Sequence, residues 1–323
     1  MTLLLRHEDV KNVISMDDAI RAMESAFQEE GAGQTLLPPR INMKSGKGWL
    51  RIGPVALEKS GVAGFKAMNL VPGIGLRYQV HLYSIETGAI LAIMDAQHLT
   101  TLRTGATSVV ATRRLARPGK TIVALLGSGV EARAQLAAMQ TGGFVESARV
   151  FSPTQAKREQ LAEDFSREHG MKIVAVSSAE EAVADAGIVV AAVKSSTPVL
   201  LGSWLKPGVH VNSVGTARRD QRELDVDVFS RAARIVVDTR SGVFEEAGDA
   251  YAARDSVTPE VVSELCELVV GKSQGRQNHQ EITLFKSVGT GIQDIALAKE
   301  IYEKARAARA GTDLADFPYL KAN

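Results

Sequence analysis

The residues best able to do chemistry are three cations that stand among apolar or small residues. Lys66 interrupts the apolar run VAGFKAM, Arg40 follows two prolines, and Arg103 lies in LTTLRTGA. A buried cation needs an anionic partner, and an arginine binds a carboxylate through two parallel hydrogen bonds. The pattern therefore indicates a site for a substrate carboxylate, and three structural salt bridges are the alternative.

A glycine-rich loop is the second feature with chemical meaning. The sequence GSGVEA follows the apolar run TIVALL and opens a helical pattern. Here the first glycine permits a tight turn, the second lets the backbone approach a pyrophosphate, and the helix N-terminus favours the phosphate charge. The predicted cofactor contacts are Gly127, Ser128, Gly129, Val130, Glu131 and Ala132.

The end of the next predicted strand decides which dinucleotide is expected. An acidic residue at this place binds the ribose 2′-hydroxyl of NAD. In this chain Ser152 and Thr154 follow the strand, and no acid occurs before Glu159. Both hydroxyls can bond a 2′-phosphate, and Arg158 or its neighbour Lys157 can neutralise it. We expect NADP(H) as the preferred cofactor, with NAD(H) as the alternative.

A polar face on a further predicted strand offers a second candidate pocket lining. The segment GLRYQVHLY alternates, so that Arg77 and His81 share one face and Tyr78 lies on the other. We predict that Arg77 contacts the substrate, and exposure to solvent is the alternative. No role is assigned to His81 or Tyr78.

The elements that must position these residues follow two patterns. Up to residue 117, helices at 16–30 and 100–115 are mixed with strand-like runs. Between 118 and 290, apolar strands alternate with helices, which is typical of a doubly wound parallel sheet. Thr258-Pro259 is expected to begin the last helix of this region, and a long helix follows at 291–308. The predicted fold class is α/β.

Composition excludes several classes of protein. The 323 residues carry a formal net charge of +1, without the basic excess typical of nucleic-acid binding. No apolar run approaches the roughly 20 residues that span a bilayer, and the N-terminus is interpreted as a strand, not a signal peptide. The single cysteine, Cys266, is expected to pack in a helix. We expect a cytoplasmic protein without a metal site, a nucleic-acid partner or a membrane partner.

Longer strings resemble the ornithine cyclodeaminase/mu-crystallin family between about residues 38 and 305. They are LRTGA after Asp95, the GSGVEA loop, VNSVG at 211–215, RELD at 222–225 and FKSVG at 285–289. The resemblance implies a Rossmann domain (118–290) inserted into an α+β domain (1–117 and 291–323) that binds substrate and forms a homodimer. It also implies carboxylate binding by Arg40, Lys66 and Arg103, and cofactor contacts at Val214 and Gly215.

One departure from the family pattern bears on the reaction. Cyclodeaminases and some dehydrogenases of the family carry an aspartate where this chain has Ala217, and alanine cannot act as a base. We therefore expect an NADPH-dependent reductase of an imine α to a carboxylate, such as pyrroline-2-carboxylate or piperideine-2-carboxylate, with Lys66 assisting proton transfer. The alternatives are a dehydrogenase acting on a 2-oxo acid plus an amine, an ornithine cyclodeaminase, and a non-catalytic NADP-binding crystallin.

Overall fold

The computed structural model describes residues 2–315, 317 and 318. Its strands are β1 (Leu3–Leu5), β2 (Thr35–Leu36), β3 (Ile41–Ser45), β4 (Gly48–Leu57), β5 (Val62–Val71), β6 (Gly75–Ser84), β7 (Ile90–Asp95), β8 (Thr121–Leu126), β9 (Val145–Phe151), β10 (Ile173–Ala175), β11 (Ile188–Ala191), β12 (His210–Ser213), β13 (Arg234–Val237), β14 (Ser263–Glu264), β15 (Thr283–Lys286) and β16 (Thr312–Asp313). Its helices are α1 (His7–Val13), α2 (Met16–Gly31), α3 (Gln97–Leu115), α4 (Val130–Thr141), α5 (Gln155–His169), α6 (Ala179–Val183), α7 (Val226–Arg231), α8 (Arg240–Glu246), α9 (Gly248–Ala252), α10 (Leu265–Val269) and α11 (Gly291–Ala308). None of these helices is long and apolar enough to cross a membrane.

The chain divides into two compact units, with boundaries after Arg103 and after Gly289. The first boundary falls inside α3, so the first part of this helix belongs to one unit and the rest belongs to the other. Helix α3 ends before Arg117-Pro118, where proline disfavours a further helical turn. The assignment of substrate binding and dimerisation to residues 1–117 with 291–323, and of cofactor binding to residues 118–290, stays a prediction.

The first unit is built on one mixed sheet with helices on one face. The strand order is β16-β1-β7-β6-β5-β4-β2, and β3 pairs with β4. Helix α11 packs on β4, β5 and β6, and α2 packs on α11. Because β5 and β6 alternate, one face carries Lys66, Tyr78 and Val80, and the other carries Ala67 and Arg77.

The second unit contains a parallel sheet of eight strands in the order β10-β9-β8-β11-β12-β15-β13-β14. Strand β8 is the apolar run TIVALL, and its last four residues are buried. Such continuous burial is expected of a strand that is covered on both faces. The order β10-β9-β8-β11-β12 places the turn after β8 where strand order reverses, which is where this fold binds ligands. The predicted α/β class with a doubly wound parallel sheet is confirmed.

The prediction that a helix starts at Thr258-Pro259 is wrong. Pro259–Val261 forms a single 3-10 turn, the two residues of β14 then pair with β13, and the short helix α10 follows. Strand pairing satisfies backbone groups at 263–264, and the Glu264 and Glu267 side chains cap the new helix start. Cys266 is buried in α10.

Candidate active site

Two of the three predicted cations meet a carboxylate that the sequence analysis did not identify. Lys66 Nζ on β5 lies 2.8 Å from Asp294 Oδ1 on α11, and Arg103 Nε on α3 lies 3.1 Å from the same oxygen. Arg103 Nη1 also donates to Gln293 Oε1 at 2.8 Å. All four side chains are buried. Lys66, Arg103, Gln293 and Asp294 are called the cation cluster below.

Two glycines allow α11 to bring Asp294 to the sheet. A Cβ at Gly64 on β5 would lie 2.8 Å from Ile295 Cδ1, closer than carbon atoms normally approach. A Cβ at Gly291 would lie 3.2 Å from the carbonyl oxygen of Gly53 on β4. Gly53 is paired with Lys66 across the two strands. The start of α11 therefore rests against the strands that carry Lys66.

Burial, together with nearby positive charges, lowers the pKa of Lys66 from 10.5 to about 8. Burial is the largest cause, and the positive charges of Arg103 and Arg40 act in the same direction. Asp294 opposes the shift by attraction and by its hydrogen bond. Arg40 is half-buried, and its Cγ lies beside Gly53, the residue paired with Lys66. The structure thus brings Arg40, Lys66 and Arg103 together in the first unit.

Arg77 is not brought to the cation cluster. Its partner across β5 and β6 is Asn69, on the face of the sheet opposite Lys66, and its side chain is exposed. His81 shares that face and stacks on Phe65, with ring centroids 4.7 Å apart. Tyr78 is on the Lys66 face, and its ring centroid is 5.6 Å from Lys66 Nζ. We leave Arg77 out of the proposed substrate site.

The glycine loop has the form that a dinucleotide pyrophosphate requires. Gly127 has φ of +124°, and a Cβ there would lie 2.6 Å from the Ala192 carbonyl oxygen, so no other residue fits without strain. Gly129 begins α4 without a side-chain cap, and a Cβ there would meet no atom within 4 Å. The first N–H groups of α4, from Val130 onward, therefore adjoin open space in which an anion can bind. Ala132 is fully buried under the helix.

The end of β9 carries the residues predicted to recognise the adenosine ribose. Ser152 Oγ accepts a hydrogen bond of 2.9 Å from Ser128 Oγ, which links this strand end to the glycine loop. Arg158 Nη1 donates to the Ser152 carbonyl oxygen at 2.9 Å, and its guanidinium lies 5.8 Å from the centroid of the Phe151 ring. Thr154 is exposed at the start of α5. The structure brings Ser128, Ser152 and Arg158 together without an acidic neighbour from this strand end.

A buried charge network holds the backbone at Gly215, and the cofactor contacts at Val214 and Gly215 stay a prediction. Glu223 accepts hydrogen bonds from the backbone N–H groups of Val193 and Gly215, at 2.8 Å and 2.9 Å, and so joins the segments that follow β11 and β12. Lys286 Nζ lies 2.6 Å from Asp249 Oδ2 and 3.5 Å from Glu223 Oε2, and all three side chains are almost fully buried. Burial raises the pKa of Glu223. Glu223, Asp249 and Lys286 are called the carboxylate–lysine network below.

The sequence contained a signal for Asp294 that the prediction did not use. Asp294 occupies a helical face whose later positions are apolar, at Ala298, Ile301 and Ala305. An acid on an otherwise apolar face indicates a buried carboxylate. Such a group needs a cation, and Lys66 and Arg103 were cations without assigned protein partners.

The parallel strand order and the glycine loop define a dinucleotide-binding protein of the Rossmann type. The sequence matches the ornithine cyclodeaminase/mu-crystallin family over residues 1–309. The chain belongs to this family, as the sequence strings predicted.

Three relatives illustrate the similarity. The alanine dehydrogenase of Archaeoglobus fulgidus is 34% identical, with 98% of this chain and 99% of that protein covered. The structure of Thermococcus litoralis Δ1-pyrroline-2-carboxylate reductase in complex with NADH and L-proline has a TM-score of 0.92 at 36% identity, covering 97% of this chain and 100% of that one. An archaeal alanine dehydrogenase dimer with bound NAD has a TM-score of 0.92 at 31% identity, covering 98% and 99%. The predicted enzyme class, a nicotinamide-dependent oxidoreductase acting on CH–NH or CH–NH2 groups, is confirmed.

Proposed function

We propose that this protein is an NADPH-dependent reductase of a cyclic imine that carries a carboxylate on the imine carbon, such as Δ1-pyrroline-2-carboxylate or piperideine-2-carboxylate. The observation that carries the proposal is the cation cluster, in which two cations and one carboxylate are buried together. Within the cation cluster, the two positive charges of Lys66 and Arg103 face the one negative charge of Asp294. The excess positive charge favours an anionic substrate.

The guanidinium of Arg103 is held in a fixed orientation for this purpose. Its Nε and Nη1 atoms donate to Asp294 and Gln293 in the first turn of α11. Its Nη2 atom makes no hydrogen bond to any residue that the structure describes. A substrate carboxylate would therefore approach the Nη1–Nη2 edge, with Arg40 as the second cation. This preorganised arrangement lowers the entropy cost of binding.

Lys66 is suited to supply a proton. With a pKa of about 8 it is protonated at neutral pH and is still acidic enough to give the proton up. The nicotinamide, when bound, supplies the hydride that reduces the imine carbon. The glycine loop and α4 would hold its pyrophosphate, and Ser152, Thr154 and Arg158 would hold the 2′-phosphate.

A second activity is favoured by a specific observation. The Archaeoglobus fulgidus relative, at 34% identity, is named an alanine dehydrogenase. The same cation cluster would bind the carboxylate of a 2-oxo acid, whose imine with ammonia or an amine is then reduced. Cyclodeamination of ornithine is disfavoured because Ala217 offers no carboxylate.

A direct comparison of substrates tests the proposal. NADPH oxidation is followed with Δ1-pyrroline-2-carboxylate and with pyruvate plus ammonia or methylamine. Cyclodeamination is tested separately, as proline formed from ornithine with a catalytic amount of NADP+. We expect the largest kcat/KM for the cyclic imine. A larger value for pyruvate plus an amine would establish the second activity instead.

We further propose that the protein is a homodimer formed through the uncovered face of the first sheet. Phe65, Ile52 and Ile93 are only half-buried on this face, and Ile41 and Met43 on β3 are about half exposed. An apolar face of this kind is costly in water and is covered in stable oligomers. Light scattering should give twice the mass of 34.5 kDa, and Phe65→Glu should reduce it to one chain.

A further inference from the structure

Asp294 has a free oxygen in a site that is otherwise positively charged. Its Oδ1 atom accepts hydrogen bonds from Lys66 and Arg103. Its Oδ2 atom accepts none from the residues that the structure describes, although the side chain is only 6% exposed. This oxygen is not sealed from solvent, so a hydrogen-bond donor on a ligand can reach it in place of water.

The charges of the cluster determine which ligand group suits Oδ2. Arg40, Arg103 and Lys66 suit the carboxylate of the proposed substrate. The nitrogen of that substrate becomes a cation when it is protonated, and the three cations would repel it. Within the described part of the cluster, Asp294 is the one acceptor that carries a negative charge.

We propose that Asp294 Oδ2 accepts a hydrogen bond from the protonated ring nitrogen of the substrate and thereby keeps the proton on that nitrogen. This inference rests on the proposed function and names a further catalytic residue for it.

The step balances with the residues of the cluster. The protonated C=N bond is the electron-poor form that accepts hydride. The hydride electron pair forms the new C–H bond, and the C=N π pair becomes a lone pair on nitrogen, which keeps its proton against Asp294. Lys66 then gives a second proton to the nitrogen, and the product leaves as a zwitterion. Water returns the proton to Lys66.

Binding of two product-like ligands tests the proposal without turnover. L-proline carries a positive ring nitrogen, and tetrahydrofuran-2-carboxylate has an oxygen in its place. Calorimetric titration is carried out with the NADPH-loaded protein. Because a charge-assisted hydrogen bond is at stake, we expect the wild type to prefer L-proline by roughly tenfold or more.

The variant Asp294→Asn should move the two affinities in opposite directions. L-proline should bind more weakly, and tetrahydrofuran-2-carboxylate should bind equally or more tightly, because the loss of a negative charge makes the cluster more positive. Asp18→Asn is the matched control, since Asp18 is a buried aspartate that pairs with Lys304 at 3.1 Å elsewhere in the unit. It should leave both affinities unchanged.

Other outcomes overturn the inference in distinguishable ways. Equal wild-type affinity for the two ligands would overturn it without any variant. A parallel loss of both affinities in Asp294→Asn, or an unchanged preference for L-proline, would show that Asp294 only holds the cations in place. Failure of the wild type to bind either ligand would overturn the proposed function itself.

Discussion

Lys66 Nζ and Asp294 Oδ1 lie 2.8 Å apart, although 228 residues separate them along the chain. The pair joins the middle of β5 to the first turn of the last long helix, so both ends of the first unit contribute to one site. Each side chain is almost completely buried. A buried pair of this kind is weak evidence for stability by itself, because desolvation offsets much of the attraction. The proposed role of the pair is therefore to form part of an anion-binding site together with Arg103.

Replacing Arg103 should damage substrate binding and spare the cofactor. We expect Arg103→Ala to lower kcat/KM at least about a hundredfold, or about 2.7 kcal/mol, because the carboxylate loses its positioned cation. Arg103→Lys should recover only part of the loss, since lysine lacks the planar donor edge. NADPH affinity should stay within about twofold of the wild type. Arg113→Ala, an exposed arginine of the same helix, is the control; near-normal kcat/KM in Arg103→Ala would make Arg103 a structural residue.

Activity should fall as Lys66 loses its proton. With a pKa of about 8, kcat/KM is expected to decline above that pH, and Lys66→Met should lack this alkaline limb. Stability should change in the opposite sense. The unfolded chain, with lysine at 10.5, binds more protons between pH 8 and 10.5, so the free energy of unfolding rises with pH in this window. Lys304→Met is the control, and a profile unchanged by Lys66→Met would contradict the assignment.

The sequence predicted the parts of this site that depend on local pattern. The glycine loop was recognisable because its neighbours, an apolar strand and a helix start, are adjacent in sequence. The unusual positions of Lys66 and Arg103 were recognisable because cations are rare among apolar residues. Their carboxylate partner was missed because no local rule links β5 to α11. The prediction of a helix after Thr258-Pro259 failed for the same reason. The pairing of β14 with β13 cannot be recognised from the local sequence.

Arg77 shows how one residue position changes a prediction. The alternation of β6 was predicted correctly, with Arg77 and His81 on one face and Tyr78 on the other. Which face adjoins Lys66 depends on the register between β5 and β6, and that register is set by the turn between them. In the structure, Tyr78 lies on the same face of the sheet as Lys66, and Arg77 lies on the opposite face.

Cofactor choice should depend on Arg158. We expect NADPH to bind more tightly than NADH, and Arg158→Ala to weaken NADPH by roughly tenfold, about 1.4 kcal/mol, with little effect on NADH. The reason is that the 2′-phosphate carries the charge that Arg158 neutralises. Arg167→Ala, near the other end of α5, is the control. Fluorescence titration measures the affinities of the wild type and both variants for NADPH and NADH, and a tenfold wild-type preference for NADH would refute the expectation.

The carboxylate–lysine network should be sensitive to loss of its cation. Lys286→Met leaves Glu223 and Asp249 buried without a positive partner, and we expect it to lower the free energy of unfolding by roughly 3–5 kcal/mol. Lys206→Met removes an exposed ion pair with Asp185 and should cost at most about 1 kcal/mol. Urea unfolding measures both. If Lys286→Met were no less stable than Lys206→Met, the two buried carboxylates would not depend on Lys286 for their stability, and the expectation would be refuted.

Transfer of a labelled hydride tests the proposed reaction most directly. Δ1-pyrroline-2-carboxylate is incubated with the protein and NADPH that carries deuterium at both C4 positions, and the product is analysed by mass spectrometry and NMR. Reduction at the imine carbon predicts proline with one deuterium, located on Cα. Proline without deuterium, or no proline under conditions in which pyruvate and ammonia give deuterated alanine, would contradict the proposal that this protein is a cyclic imine reductase.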